Sequence, residues 1–298
     1  MSSAPPHMNV PTDASGLPVT LPMLVEKKRL GEPLVMVTAY DFPSARAAEA
    51  AGVDLVLVGD SGAMTVLGYP STVPVTTDEL LMLSRAVRRG LRTPFMVGDL
   101  PFGSYEESDQ QAIATAMRFV KEAGCDAVKL ERGNETSVAR ARAIVQAGIP
   151  VMGHVGLTPQ TSTALGGYRA QGRNTGAAVR IGHEALALQD AGCFALVFEA
   201  IPAAVTAELM LHIQIPVIGI GAGPDTDGQV LVFHDLLGIR EGRGAKFVQR
   251  YAELQDEMNQ GVAAYAADVR QRRYPAVEHT YSIDDAELEQ FRASFQLP

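Results

Sequence analysis

From Leu34 onward, short apolar runs alternate with longer segments whose apolar residues recur every three or four positions. The runs read as strands: LVMVTAYD (34–41), VDLVLVGDS (53–61), TPFMVGDLP (93–101), CDAVKLERG (125–133), PVMGHVGLT (150–158), CFALVFEAIP (193–202), PVIGIGAG (216–223) and QVLVFHD (229–235). Five of the six residues from Val53 to Val58 are apolar, as in a strand covered on both faces. The intervening segments read as helices with checkable ends. Thr76 and Glu79 have capping-box spacing, ahead of a stripe of Leu80, Leu83 and Val87 that stops at Gly90. Ser108 and Gln111 repeat the box before Ile113, Ala116, Met117 and Val120, with Gly124 as the stop. Gly52, Gly148 and Gly192 punctuate three more helical patterns.

Strict alternation of strand and helix implies a parallel sheet, because each parallel pair needs a crossover. Eight strands fit a closed (β/α)8 TIM barrel better than a doubly wound sheet, and the turn after the first run, YDFPSARAAEAAG, lacks the GxGxxG signature of the latter. The expected organisation is a leader over 1–17, one barrel domain over 18–280 and a C-terminal tail over 281–298. A helical pattern over about 250–272 is expected to close the barrel.

Composition narrows the partners. With 25 Lys and Arg against 34 Asp and Glu, the net charge is −9, which argues against a nucleic-acid or anionic-membrane binder. Two cysteines make a disulfide framework improbable and favour a reducing, cytoplasmic setting. No stretch has the length of a membrane span, and the N-terminus has no secretory pattern.

The strand ends carry the charge that the strands otherwise lack: Asp41, Asp60 with Ser61, Asp99, Lys129 with Glu131, His154, Glu199 and His234. In a parallel barrel these ends meet at one mouth. Asp60, Asp99 and Glu131 form an oxygen-rich set that suits a hard cation such as Mg²⁺, or else three separate helix N-caps. Lys129 shares a strand face with Glu131. Glu199, among apolar residues in FALVFEAIP, is expected to have a raised pKa and to suit proton abstraction; a structural acid would need a basic partner that its local sequence does not offer. His154 suits metal, substrate or a supporting hydrogen bond. GIGAGPDTDG reads either as a phosphate loop or as a tight wall of small residues.

Taken together, VTAYDFPSARAAEAAGVDLVLVGDS, STVPVT, GDLPFGSY, AVKLERG, GHVGLTPQ, GGYRAQGR, FEAIP and IPVIGIGAGPDTDGQVLVFHDLLG closely resemble the ketopantoate hydroxymethyltransferase family over about residues 20–280. The resemblance implies a barrel of the phosphoenolpyruvate/pyruvate type, usually decameric, that uses Mg²⁺ and transfers a one-carbon unit from 5,10-methylenetetrahydrofolate to α-ketoisovalerate. By motif it implies Asp60 and Asp99 as metal ligands, with Glu131 completing the metal's environment. Ser61 and Lys129, together with Asp60 and Asp99, would hold substrate, and Glu199 would accept the proton. Two places depart from the family's pattern: GAMTVLGYP follows VGDS, and Arg132 stands where glycine is common. Rival readings are a Mg²⁺-dependent 2-oxo acid lyase or mutase on the same fold, and a metabolite-binding barrel without turnover.

Overall fold

A computed structural model describes residues 16–164, 166–240, 242 and 244–295. The chain runs α1 (Leu21–Leu30), β1 (Leu34–Thr38), α2 (Phe42–Ala51), β2 (Leu55–Val58), α3 (Gly62–Thr65), α4 (Thr77–Gly90), β3 (Phe95–Asp99) and α5 (Asp109–Ala123). It continues with β4 (Ala127–Lys129), α6 (Glu135–Gln146), β5 (Val151–Gly156), α7 (Thr175–Asp190), β6 (Ala195–Glu199), α8 (Ala203–Met210) and β7 (Val217–Ile220). β8 (Gly228–Leu231), α9 (Phe233–Leu236), α10 (Leu254–Arg270) and α11 (Asp285–Ser294) complete it. The leader expected over 1–17 lies almost wholly outside the described residues.

All eight strands pair in parallel in sequence order, and β8 returns to β1 through Leu34↔Gly228 and Met36↔Val230 to close the barrel. Side chains alternate along each strand, so one set fills the interior and the other packs under the helices. Met36, Leu57, Val97, Met152, Val197 and Ile218 lie in the interior cluster; Val37, Val56, Val58, Met96, Val128 and Leu196 lie in the cluster beneath the helices. Each such side chain contributes roughly 1.5–3 kcal/mol on burial, against the entropy of ordering it. Leu24 of α1 joins the interior cluster and plugs the N-terminal end.

The punctuation behaves as its chemistry requires, with informative exceptions. Thr76 and Glu79 form a full capping box at α4. Ser108 accepts from Gln111 N, but the Gln111 side chain turns to Glu107 N, so that box is half made. The buried stripe of α5 runs through Ala112, Ala116 and Phe119, leaving Met117 exposed. β8 stops at Leu231, and Phe233–Asp235, expected as strand, coil with Leu236 into α9, whose first N–H donates to Thr38 Oγ1. α10 does not close the barrel, for none of its residues is buried. Part of the expected tail forms α11, capped by Asp284. Among the described residues no helix is long and apolar enough to cross a membrane.

Candidate active site

The C-terminal strand ends open into one cavity of about 540 Å³, within the range of about 300–1,000 Å³ usual for small-molecule sites. Its walls include Asp60 and Ser61 after β2, Asp99 ending β3, Lys129 and Glu131 at β4, His154 on β5 and Glu199 ending β6. Every site residue singled out in the sequence except Asp41 and His234 therefore lines one space. Those two do not line it. Asp41 caps α2 by accepting from Ser44 N at 2.7 Å. His234 sits on α9, its ring 5.5 Å from that of Tyr40.

The acids are not helix caps. Ser61, Ser108 and Asn134 occupy the N-cap positions of α3, α5 and α6, and Ser108 and Asn134 make the capping bonds at α5 and α6 with their own side chains. Asp60, Asp99 and Glu131 are instead buried at 4%, 1% and 1% exposure. Asp99 Oδ2 accepts from Asp60 N at 3.0 Å. Burial, then the charges of Asp99 and Glu131, push the Asp60 carboxyl well above the ordinary carboxylate range. Burial also raises Asp99, although Lys129 Nζ, 2.9 Å from Asp99 Oδ1, acts against it. Burial would lower Lys129, but Asp99, Glu131 and Asp60 outweigh it and hold the ammonium above its usual value.

Glu199 has the basic partner that its own segment lacks. His154 Nε2 lies 3.2 Å from Glu199 Oε2, while Nδ1 lies 3.4 Å from Lys129 Nζ and 3.6 Å from Glu131 Oε1. Burial and Lys129 act to lower the His154 pKa; Glu131 and Glu199 outweigh them and raise it to about 9. Ser61 Oγ pairs with Tyr40 Oη at 2.8 Å, and burial pushes that phenol up to about 12.

Three residues with no role assigned from sequence stand at the site, and two of them bond its groups together. Gln160, following β5, donates Nε2 to Asp60 Oδ2 at 3.0 Å and its backbone N–H to Glu131 Oε2 at 3.0 Å. Tyr105 Oη donates to Gln160 Oε1 at 2.7 Å. Thr72 lines the cavity, buried, with Oγ1 unpartnered. Gln160 and Thr72 lay inside quoted motifs, GHVGLTPQ and STVPVT, and only their polar side chains among small and apolar neighbours could have flagged them.

Backbone strain flanks the acids. Arg132 (φ 72°) and Ala200 (φ 50°) follow Glu131 and Glu199 in the left-handed region that favours glycine. The departure at Arg132 thus falls where the backbone itself asks for glycine. In GIGAGPDTDG, a Cβ on Gly221 would meet the Phe247 ring at 2.4 Å, so this loop is a close-packed wall. Arg169 and Arg173 are exposed and do not line the cavity.

Asp60, Asp99, Glu131 and Glu199 around Lys129 and His154 leave negative charge in excess at the base of the cavity, and the buried Thr72 Oγ1 there lacks a hydrogen-bond partner. Among the described residues no three acidic, histidine or cysteine side chains converge closely enough to enclose an ion by themselves. The cavity's carboxylate oxygens are the donor type that a hard cation takes, and Mg²⁺ usually binds through one or two of them with water completing its shell. The donor set fits.

The profile of the family described as ketopantoate hydroxymethyltransferase matches residues 18–277. The chain is 52% identical over 263 residues to 3-methyl-2-oxobutanoate hydroxymethyltransferase of Acidothermus cellulolyticus, covering 88% of this chain and 96% of that protein. It is 48% identical over 284 residues to the mitochondrial 3-methyl-2-oxobutanoate hydroxymethyltransferase 1 of Arabidopsis thaliana, covering 93% and 82%. Among solved structures, phosphonopyruvate hydrolase in complex with oxalate and Mg²⁺ superposes with TM-score 0.56 at 13% identity, over 92% of this chain and 96% of the other. 2,3-Dimethylmalate lyase, of the PEP mutase/isocitrate lyase superfamily, gives 0.55 at 15%, over 92% and 94%. These two show the barrel fold alone, whereas the sequence relatives match along most of the chain. The chain is an enzyme of the ketopantoate hydroxymethyltransferase family.

Proposed function

We propose that the enzyme transfers a one-carbon unit from 5,10-methylenetetrahydrofolate to α-ketoisovalerate, with water supplying the hydroxyl oxygen, to give ketopantoate and tetrahydrofolate. The observation that carries this reading is the single cavity that gathers Asp60, Ser61, Asp99, Lys129, Glu131 and Glu199.

Asp60 and Asp99 would hold Mg²⁺, with Glu131 reaching it through water. When bound, the ion supplies Lewis-acid stabilisation of negative charge on the keto acid's oxygens. Lys129, anchored by Asp99, presents its ammonium to the substrate's anionic end, and Ser61, fixed by Tyr40, adds a hydroxyl. Glu199 removes the proton from C3 of the keto acid, and the bond's electron pair moves into the enolate, whose oxygen faces Lys129. A positioned base of this kind contributes typically 10²–10⁴-fold. Water takes the donor's methylene carbon off as formaldehyde, both of its C–N bonds breaking so that tetrahydrofolate leaves with its two nitrogens protonated. C3 of the enolate then bonds to that carbon, the C=O electron pair moves to its oxygen, and that oxygen takes the proton held by Glu199.

The reading also takes the enzyme to be a homo-oligomer, decameric as the resemblance implies. Support comes from α10, where Met258, Val262, Tyr265 and Val269 form an exposed stripe at helical spacing. Val35, on β1, is 51% exposed, whereas parallel barrel strands are ordinarily covered. Light scattering should give a multiple of the chain mass; a monomer would remove this part.

The reaction is tested by NMR-monitored deuterium exchange at C3 of α-ketoisovalerate. Exchange should need Mg²⁺ and fall about 10²–10⁴-fold in Glu199→Gln. Metal-independent exchange, or a fully active variant, would return the lyase, mutase or non-catalytic readings to contention.

A further inference from the structure

Each of the three mouth acids has one carboxylate oxygen engaged by an N–H of the chain. Asp99 Oδ2 accepts from Asp60 N, Asp60 Oδ2 from Gln160 Nε2, and Glu131 Oε2 from Gln160 N. Gln160 thus supplies two of the three bonds. The rest of its side-chain amide is committed as well: Nε2 also donates to Leu100 O at 2.9 Å, and Oε1 accepts from Tyr105 Oη. The residue is 4% exposed and has no slack. An amide pinned at both ends cannot turn away to release the Asp60 oxygen that it holds.

From this we infer that Gln160 is the residue that selects a small cation at the mouth, by keeping Asp60 and Glu131 to one available oxygen each. The inference rests on the reading of Asp60 and Asp99 as metal ligands. Mg²⁺ demands near-ideal octahedral geometry and usually takes one oxygen per carboxylate, keeping its waters. Ca²⁺ takes six to eight oxygens and readily binds carboxylates through both. A carboxylate with one oxygen tied to a buried amide can serve the first ion fully and the second poorly. Gln160 acts through Asp60 and Glu131 and does not itself line the cavity, so it is a positioning residue. Partners that orient ligands in this way typically carry 10–100-fold in metal affinity.

Gln160→Met keeps the side-chain length and the backbone N–H to Glu131 but removes the amide that holds Asp60. Calorimetric titration of the full chain, stripped of metal, with MgCl₂ and separately with CaCl₂ reads the consequence without catalysis. The wild type should prefer Mg²⁺. In Gln160→Met the Mg²⁺ dissociation constant should rise by about 10–100-fold, with a smaller change for Ca²⁺, so the preference collapses. Tyr105→Phe, which leaves the amide in place but frees its carbonyl end, should shift the ratio the same way by less. An unchanged Mg²⁺ to Ca²⁺ ratio in folded Gln160→Met overturns the inference alone. If that variant does not fold, an unchanged ratio in Tyr105→Phe does so. A wild type that takes up neither ion overturns the metal reading itself, and this inference with it.

Discussion

The two rims of the barrel both carry acids, and they treat them in opposite ways. At the N-terminal rim, Asp54 pairs with Lys27 at 2.5 Å and accepts from Val35 N, and Asp227 pairs with Lys28 at 2.7 Å and accepts from Val217 N. Each carboxylate there has its own cation and its own backbone donor, and the bonds tie α1 and the β7–β8 turn to the strands. At the C-terminal rim, Asp60, Asp99 and Glu131 crowd one another around a single lysine. The lower rim spends its charges on holding the fold; the upper rim keeps its charges unsettled, which is what the proposed cation and anionic substrate require.

The comparison is sharpened most by Glu199→Gln. C3 exchange should fall about 10²–10⁴-fold, while the melting temperature stays within a few degrees. A large loss of stability would make Glu199 a lower-rim type of acid. Next comes Asp54→Asn, which should destabilise the protein by about 2 kcal/mol through the loss of a charged hydrogen bond and an ion pair. Its turnover per folded molecule should be unchanged in a standard assay. Altered turnover would blur the division between the rims.

A smaller effect follows from pH. The native pKa values of Asp60 and Asp99 are raised, so the folded chain binds more protons than the unfolded one above the ordinary carboxylate range. Stability without metal should therefore fall as pH rises through the raised values. His154 acts in the same direction, its contribution present below its ordinary pKa of about 6.5 and lost as pH rises through about 9. Melts in EDTA at rising pH should show the decline, and Mg²⁺ should flatten it. Smallest is Arg132→Gly, which relieves a left-handed backbone and should add about 1 kcal/mol in a denaturant titration with little effect on exchange.

The barrel was legible because alternation, glycine stops and capping spacings are local, and each can be read within a few residues. Asp60, Asp99, Lys129, Glu131 and Glu199 were legible as charges at the ends of otherwise apolar runs. Asp41 looked identical in that pattern, and only the turn of Ser44 back toward it makes it a cap. His234 was misplaced because VLVFHD carries strand propensity, while the Phe233 N–H bond to Thr38, from the far end of the chain, starts a helix. Gln160 and Tyr105 were not legible as partners, since they meet across 55 positions of sequence. The partner of Glu199 was missed for the same reason: His154 comes from the neighbouring strand. α10 was expected to close the barrel because a helical pattern follows the last strand, but a helical pattern does not say what the helix packs against, and none of its residues is buried.

The contrast between the rims is tested most directly by thermal melts of wild type and Asp60→Asn in EDTA and in Mg²⁺ at neutral pH. Removing one of the mutually repelling charges should make the variant melt above wild type in EDTA, by about 1–3 kcal/mol, and added Mg²⁺ should raise wild type alone and reverse the order. A variant that melts below wild type in EDTA, with no response of either protein to Mg²⁺, would mean that Asp60 is a structural acid like Asp54.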